Sequence, residues 1–176
     1  MSLIQTVEPE NAEGQVKEIY DIMQQTAGVI PTPMQLASAS PWMIDMVWQS
    51  IQFYTRHPHL SFGVLSSIRY LVAKQNDYAY CTGFNRNFLK MQGMTDDEID
   101  KIEADPGQVP LDDKDRAMVA FVVKAIKDPD SVEKSDMDTL HDHGWKDSDI
   151  LEALSHGANM IASSIMMKAF KMDQAC

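Results

Sequence analysis

The sequence is short of cysteine, of positive charge and of long apolar runs, and each shortage closes off a class of protein. Only Cys81 and Cys176 occur in 176 residues. That is too few for a disulfide framework, so a reducing, cytoplasmic setting is expected. No stretch of about 18 uninterrupted apolar residues is present, which argues against a membrane span. The opening "MSLIQTVEPE" has no basic segment, apolar stretch or cleavage site, so no secretion signal is expected. Lys and Arg number 15 against 26 Asp and Glu, a net charge of -11. Such a surface repels phosphate backbones and anionic lipid, so neither nucleic acid nor a membrane is an expected partner.

Strand patterning is missing as well, and what is there is helical. In "GQVKEIYDIMQQ", Val16, Ile19, Tyr20 and Met23 share one face. The prolines of "GVIPTPMQ" predict a break. "PWMIDMVWQSIQFYTR" follows, with Pro41 in its first turn. It is apolar on most sides, as a buried or subunit-contacting helix would be. In "LSFGVLSSIRYLVAKQ" the inward face is Leu60, Val64, Leu65, Ile68, Leu71 and Val72. A helix starting near Tyr78 or Ala79 is expected to turn Tyr80, Phe84, Phe88 and Met91 inward. "TDDE" at 95–98 reads as a capping box. "DDKDRAMVAFVVKAIKD", "SDMDTLHDHG" and "DSDILEALSHGANMIASSIMMKAF" complete the set. In the last of these, Gly157, Ala158, Ala162 and Ser163 allow a neighbour to approach closely. These patterns predict one all-α domain over residues 1–176, with its core at about 14–171.

One internal echo is present. "GMTDDEI" (93–99) matches "GWKDSDI" (144–150). Each reads as a glycine stop, an apolar plug and acids opening the next helix. Lys146 stands where Thr95 caps the first copy, so Asp147 or Ser148 is expected to cap the second.

The segments "NDYAYCTGFN", "GMTDDEIDKI" and "KDPDSVEKSDMDTLHDHGWKDSDILEAL", in this order, resemble the carboxymuconolactone decarboxylase superfamily. The branch resembled is that of alkylhydroperoxidase D-like and peroxidase-related proteins. The resemblance runs from about "GQVKEIYDIM" to "MMKAF" and implies an alkylhydroperoxidase D-like helical bundle. It also implies a homo-oligomer, with trimers or hexamers favoured and dimers open. Redox members of that family carry Cys-x-x-Cys, a histidine four residues after the second cysteine and a glutamate a dozen residues before the first. By position these fall on Tyr78, Cys81, Asn85 and Ser66, so the motif is degenerate and only Cys81 is kept. The usual dithiol relay is lost, because a sulfenic acid formed on one cysteine needs a second thiol to close a disulfide.

The remaining candidates gather around Cys81. A thiol at a helix start is favoured as thiolate by the helix dipole. A buried free cysteine is otherwise a small hydrophobe, and both readings stand at this point. Tyr78 and Asn85 lie within reach of Cys81 along the helix, either as hydrogen-bonding partners or as packing and capping groups. Arg86 is the cation of this stretch, and with His156 it is a candidate substrate-binding residue. Cys176 is the candidate resolving thiol. The pairs His57/His59 and His141/His143 have no further ligand at recognisable spacing. Neither a metal nor another cofactor is expected.

Three functions are open from these residues together with what the resemblance implies. One is a thiol-dependent, peroxidase-like antioxidant oxidoreductase using Cys81 with a small-molecule thiol reductant. The second is a cofactor-free enzyme or binder for a small organic acid, like the decarboxylase members. The third is a non-catalytic oligomeric protein.

Overall fold

The computed structural model describes residues 2–173, and among them there is no strand. The expected all-α class is what the chain adopts. Cys176, the candidate resolving thiol, lies outside the described residues. No helix among the described residues is long and apolar enough to cross a membrane. The chain divides into two compact units. One runs to Arg56 and includes the chain from Ile165 on; the other runs from His57 to Ser164.

The first unit opens with α1 (Gly14–Ala27), α2 (Thr32–Ala37) and α3 (Pro41–Thr55). Ile19, Tyr20 and Met23 of α1 are buried with Met34, Ala37 and Ile44, and Val16 packs against them. This is the face the periodicity predicts. α1 stops at Gly28, whose left-handed φ of 69° suits a residue without Cβ. The proline-rich stretch forms a short helix where a break is expected. Pro31 caps α2 and Pro33 sits in its first turn, where the missing N–H has no intrahelical partner to lose. In α3 only Ile44 is buried. Trp42 (68% exposed), Met46 and Phe53 leave an open apolar stripe. α3 is thus not a buried helix of this unit.

The second unit contains α4 (Phe62–Gln75), α5 (Ala79–Met91), α6 (Asp96–Ala104), α7 (Asp113–Lys127), α8 (Lys134–Asp142) and the start of α9 (Asp147–Ala169). α4 is its central element, buried at Val64, Leu65, Ile68, Leu71 and Val72 as the pattern predicts. Met118, Val119 and Val122 of α7 are buried with it. α9 passes close by at Gly157. A Cβ built there would stand 2.6 Å from Ile126 Cδ1, 2.9 Å from Val122 Cγ1 and 3.2 Å from Ile68 Cγ2. Only hydrogen fits at that crossing.

The internal echo is one connection used twice. Gly93 and Gly144 both have left-handed φ, 93° and 82°. Met94 N–H donates to Leu89 C=O at 3.1 Å and Trp145 N–H to Leu140 C=O at 3.0 Å, the same closing bond in each copy. The capping box of α6 forms as expected, with Glu98 N–H donating to Thr95 Oγ1 and Thr95 N–H to Glu98 Oε2. The second copy differs from expectation. Lys146 has no acceptor in its side chain, and no backbone N–H donates to the Asp147 or Ser148 side chain among the described residues. Instead Asp149 reaches back to the Lys146 N–H at 3.3 Å.

The inward face of α5 also differs. Its buried residues are Cys81, Asn85 and Leu89, one turn apart on a stripe. Tyr80, Phe84 and Phe88 are half-buried and Met91 is 81% exposed. The aromatic residues satisfy one another instead. Tyr80 stacks on Phe84, and Phe88 meets both Phe84 and Phe62 edge to face.

Candidate functional site

Three helices of the second unit bring the candidate residues together. α4 supplies Ser66 and, one turn on, Arg69. α5 supplies Cys81 and, one turn on, Asn85. α9 supplies His156 and, two turns on, Ser164.

α4 ends in the Asn76–Asp77 turn, where Asp77 takes a left-handed φ of 54°. Tyr78 then precedes α5 as its N-cap residue, its N–H donating to Ala73 C=O at 2.9 Å. Cys81 is therefore the third residue of α5, in the turn whose N–H groups lack intrahelical partners. It is in no disulfide and is 6% exposed. Its Sγ lies 3.6 Å from Ser164 Oγ.

Asn85 does not bond the sulfur through any contact seen here. Its Nδ2 donates to the Cys81 carbonyl at 2.8 Å, and its Oδ1 accepts from Arg69 Nε at 2.9 Å. Arg69 Nη1 donates to His156 Nε2 at 3.2 Å. Because arginine only donates, His156 accepts through Nε2 and carries its proton on Nδ1. Burial, followed by the charge of Arg69, holds His156 down to about 3, against a smaller opposing effect of a hydrogen bond to the Leu65 backbone. The ring is neutral at ordinary pH. Burial also lowers Arg69 to about 10, which leaves it cationic at neutrality.

Ser66 is fully buried and committed to structure. Its hydroxyl donates to Phe62 C=O at 2.7 Å and accepts from Gln92 Nε2 at 2.8 Å. A depression of about 240 Å³ lies beside Gln92, lined by residues such as Gly63, Leu89, Met94 and Leu111. None of the candidate residues lines it.

Arg86 faces elsewhere. It donates to Tyr70 Oη and pairs with Asp96 at 2.8 Å, Asp100 at 3.1 Å and Glu103 at 3.3 Å. Its hydrogen bonds to Asp96, then to Asp100 and Tyr70, hold its pKa well above the ordinary value against the opposing effect of burial. The cation beside Asn85 is Arg69 and not Arg86. A signal for it exists: from Leu60 to Ala73, Arg69 is the single charged residue in an otherwise apolar helix.

The histidine pairs are also placed. His57, Asp149 and Glu152 have ligand-type atoms within 4.8 Å of one another. His57 Nδ1 accepts from the Leu60 N–H at 2.8 Å, so its proton is on Nε2 and is directed at Glu152 Oε2, 2.8 Å away. A ring nitrogen that is donating has no lone pair for a cation, and the trio does not fit a metal. His59 pairs with Asp149 at 2.9 Å and His141 with Asp147 at 2.7 Å.

No protein-family model matches the chain, and no curated protein matches it. Solved structures do. An uncharacterized peroxidase-related protein from Ralstonia eutropha JMP134, described as an alkylhydroperoxidase AhpD core, superposes with a TM-score of 0.80 at 19% identity. The match covers 97% of this chain and 90% of that one. An uncharacterized peroxidase-related protein from Silicibacter sp. TM1040 gives 0.76 at 16% identity, covering 97% and 93%. The fold is that of the alkylhydroperoxidase D core. Within this alkylhydroperoxidase D-like fold, three of the positions carried over from the redox motif are Ser66, Cys81 and Asn85, all buried in the second unit.

Proposed function

We propose that the chain is a peroxidase-related thiol oxidoreductase in which Cys81 alone meets the peroxide and a small external thiol completes the cycle. The observation that carries this reading is the position of Cys81. It is a thiol in no disulfide, in the first turn of α5 and beside the Ser164 hydroxyl, with its carbonyl tied through Asn85 to a cationic Arg69. The shared fold with peroxidase-related proteins supports the same class.

The first step is two-electron oxidation of sulfur. The Cys81 thiolate attacks one peroxide oxygen, an S–O bond forms, the O–O bond breaks, and the alkoxide takes a proton and leaves as alcohol. Cys81 is then a sulfenic acid. An external thiol displaces the hydroxyl as water and forms a mixed disulfide. A second external thiol releases Cys81 and leaves as the external disulfide. The start of α5 favours negative charge on the sulfur. Asn85 and Arg69 position the turn that carries it. Tyr78 and Ser66 have no step to perform, because neither side chain resolves a sulfenic acid. A reducing cytoplasm would supply the external thiol.

The same reading includes a homo-oligomer, supported by the open apolar stripe of Trp42, Met46 and Phe53 on α3.

The test is peroxide consumption with and without added small thiol. Wild type is expected to show a single turnover alone and sustained turnover with thiol, and Cys81→Ser neither. Turnover retained by Cys81→Ser removes the thiol from the reaction.

A further inference from the structure

A guanidinium in an apolar helix ordinarily has a carboxylate against it, because an uncompensated charge away from water is costly. Arg86 follows that rule with Asp96, Asp100 and Glu103. Arg69 does not. It is half-buried, and it forms no ion pair with any described residue. Its protein acceptors are the neutral Asn85 carbonyl oxygen and the neutral His156 Nε2. The rings of Phe62 and Phe88 lie 5.7 and 6.0 Å from its Cζ. These contacts use Nε and one Nη1 hydrogen. The Nη2 hydrogens and the second Nη1 hydrogen meet no acceptor among the described residues. That edge is not sealed either. Among the described residues, the buried side-chain polar atom without a partner is Gln75 Nε2, not an Arg69 nitrogen.

We propose that Arg69 anchors a binding site for a small monocarboxylate with a flat apolar body, gripped by two parallel N–H donors at Nη1 and Nη2. Two parallel donors match the two oxygens of a carboxylate, which would also supply the missing counter-charge. Asn85 at Nε and His156 at Nη1 fix the guanidinium in place, and Nη2 has no protein acceptor among the described residues. Phe62, 53% exposed, and Phe88 offer an apolar wall to the body of the ligand. One uncompensated cation calls for one negative charge, and the net charge of -11 disfavours a dianion. Binding needs no reaction at Cys81, so the proposal goes beyond the thiol reading and stands apart from it.

The experiment is calorimetric titration of benzoate, and of the uncharged isostere benzamide, into wild type, Cys81→Ser and Arg69→Gln. Benzoate is expected to bind wild type and Cys81→Ser at one site each, with benzamide at least tenfold weaker. Arg69→Gln is expected to lose benzoate affinity at least tenfold. Equal binding of benzoate and benzamide, absence of benzoate binding at millimolar concentration, or full affinity in folded Arg69→Gln would overturn the proposal. If Arg69→Gln does not fold, the benzoate–benzamide comparison on the intact protein decides. Loss of peroxide reactivity with benzoate binding intact would strike the thiol reading alone.

Discussion

Arg69 and Asn85 are joined by a 2.9 Å hydrogen bond from guanidinium Nε to amide Oδ1, linking α4 to α5 one turn below Cys81. The bond settles which way the amide faces. Oδ1 is toward Arg69, so Nδ2 is free to hold the Cys81 carbonyl. Asn85 thus orders the turn that presents the thiol.

The crossing of α9 over α4 and α7 gives a sharp stability test. Gly157→Ala would force a methyl against Ile126 and Val122. A cost of about 1–3 kcal/mol is expected for such overpacking. Gly83→Ala on α5 is the opposite case, since a Cβ there meets nothing within 4 Å. It is expected to stabilise by about 0.4–1 kcal/mol, because alanine loses less backbone freedom on folding. Urea unfolding of both variants measures the pair. Equal effects would contradict the close approach at Gly157.

The pH dependence follows from His156. Its folded pKa is depressed to about 3, below an unfolded value of about 6.5. Between those values the unfolded chain holds the extra proton. The stabilisation is complete above about pH 6.5 and is lost as pH falls toward 3, by at most about 1.4 kcal/mol per unit. The measurement is the difference in stability between wild type and His156→Gln as pH is lowered. Wild type is expected to lose stability faster than the variant between pH 6.5 and 4.5, a window set by the same two pKa values. Parallel curves would mean that His156 is not held neutral.

Assembly is tested on α3. Light scattering at low micromolar protein is expected to report an oligomer, and Trp42→Glu together with Phe53→Glu to shift it toward monomer. A wild-type monomer would leave the exposed stripe unexplained by self-association.

What was legible in the sequence was what local chemistry decides. The Gly93 and Gly144 stops, the Thr95–Glu98 box and the buried face of α4 need only neighbours a few residues away. The Arg69 network was not legible, because its partners lie 16 and 87 residues along the chain. Arg86 drew attention by standing next to Asn85 in the sequence, yet one residue on a helix is about 100° of rotation, and it turns to α6. The inward face of α5 was misread for a related reason. Apolar bulk favours Phe84 and Phe88 over the polar Asn85, but those rings pair with one another while Asn85 is wanted inside by Arg69.

The central claim is that Cys81 alone meets the peroxide. Intact-mass spectrometry after one equivalent of hydroperoxide, without added thiol, tests it most directly on wild type, Cys81→Ser and Cys176→Ser. Wild type and Cys176→Ser are expected to gain one oxygen at Cys81, to gain a second with excess peroxide, and to return from the first state on addition of small thiol. Cys81→Ser is expected to stay unmodified. A wild-type product lighter by two hydrogens, with Cys81 and Cys176 joined, would contradict the single-thiol account, and peroxide consumption undiminished in Cys81→Ser would contradict any role for the thiol.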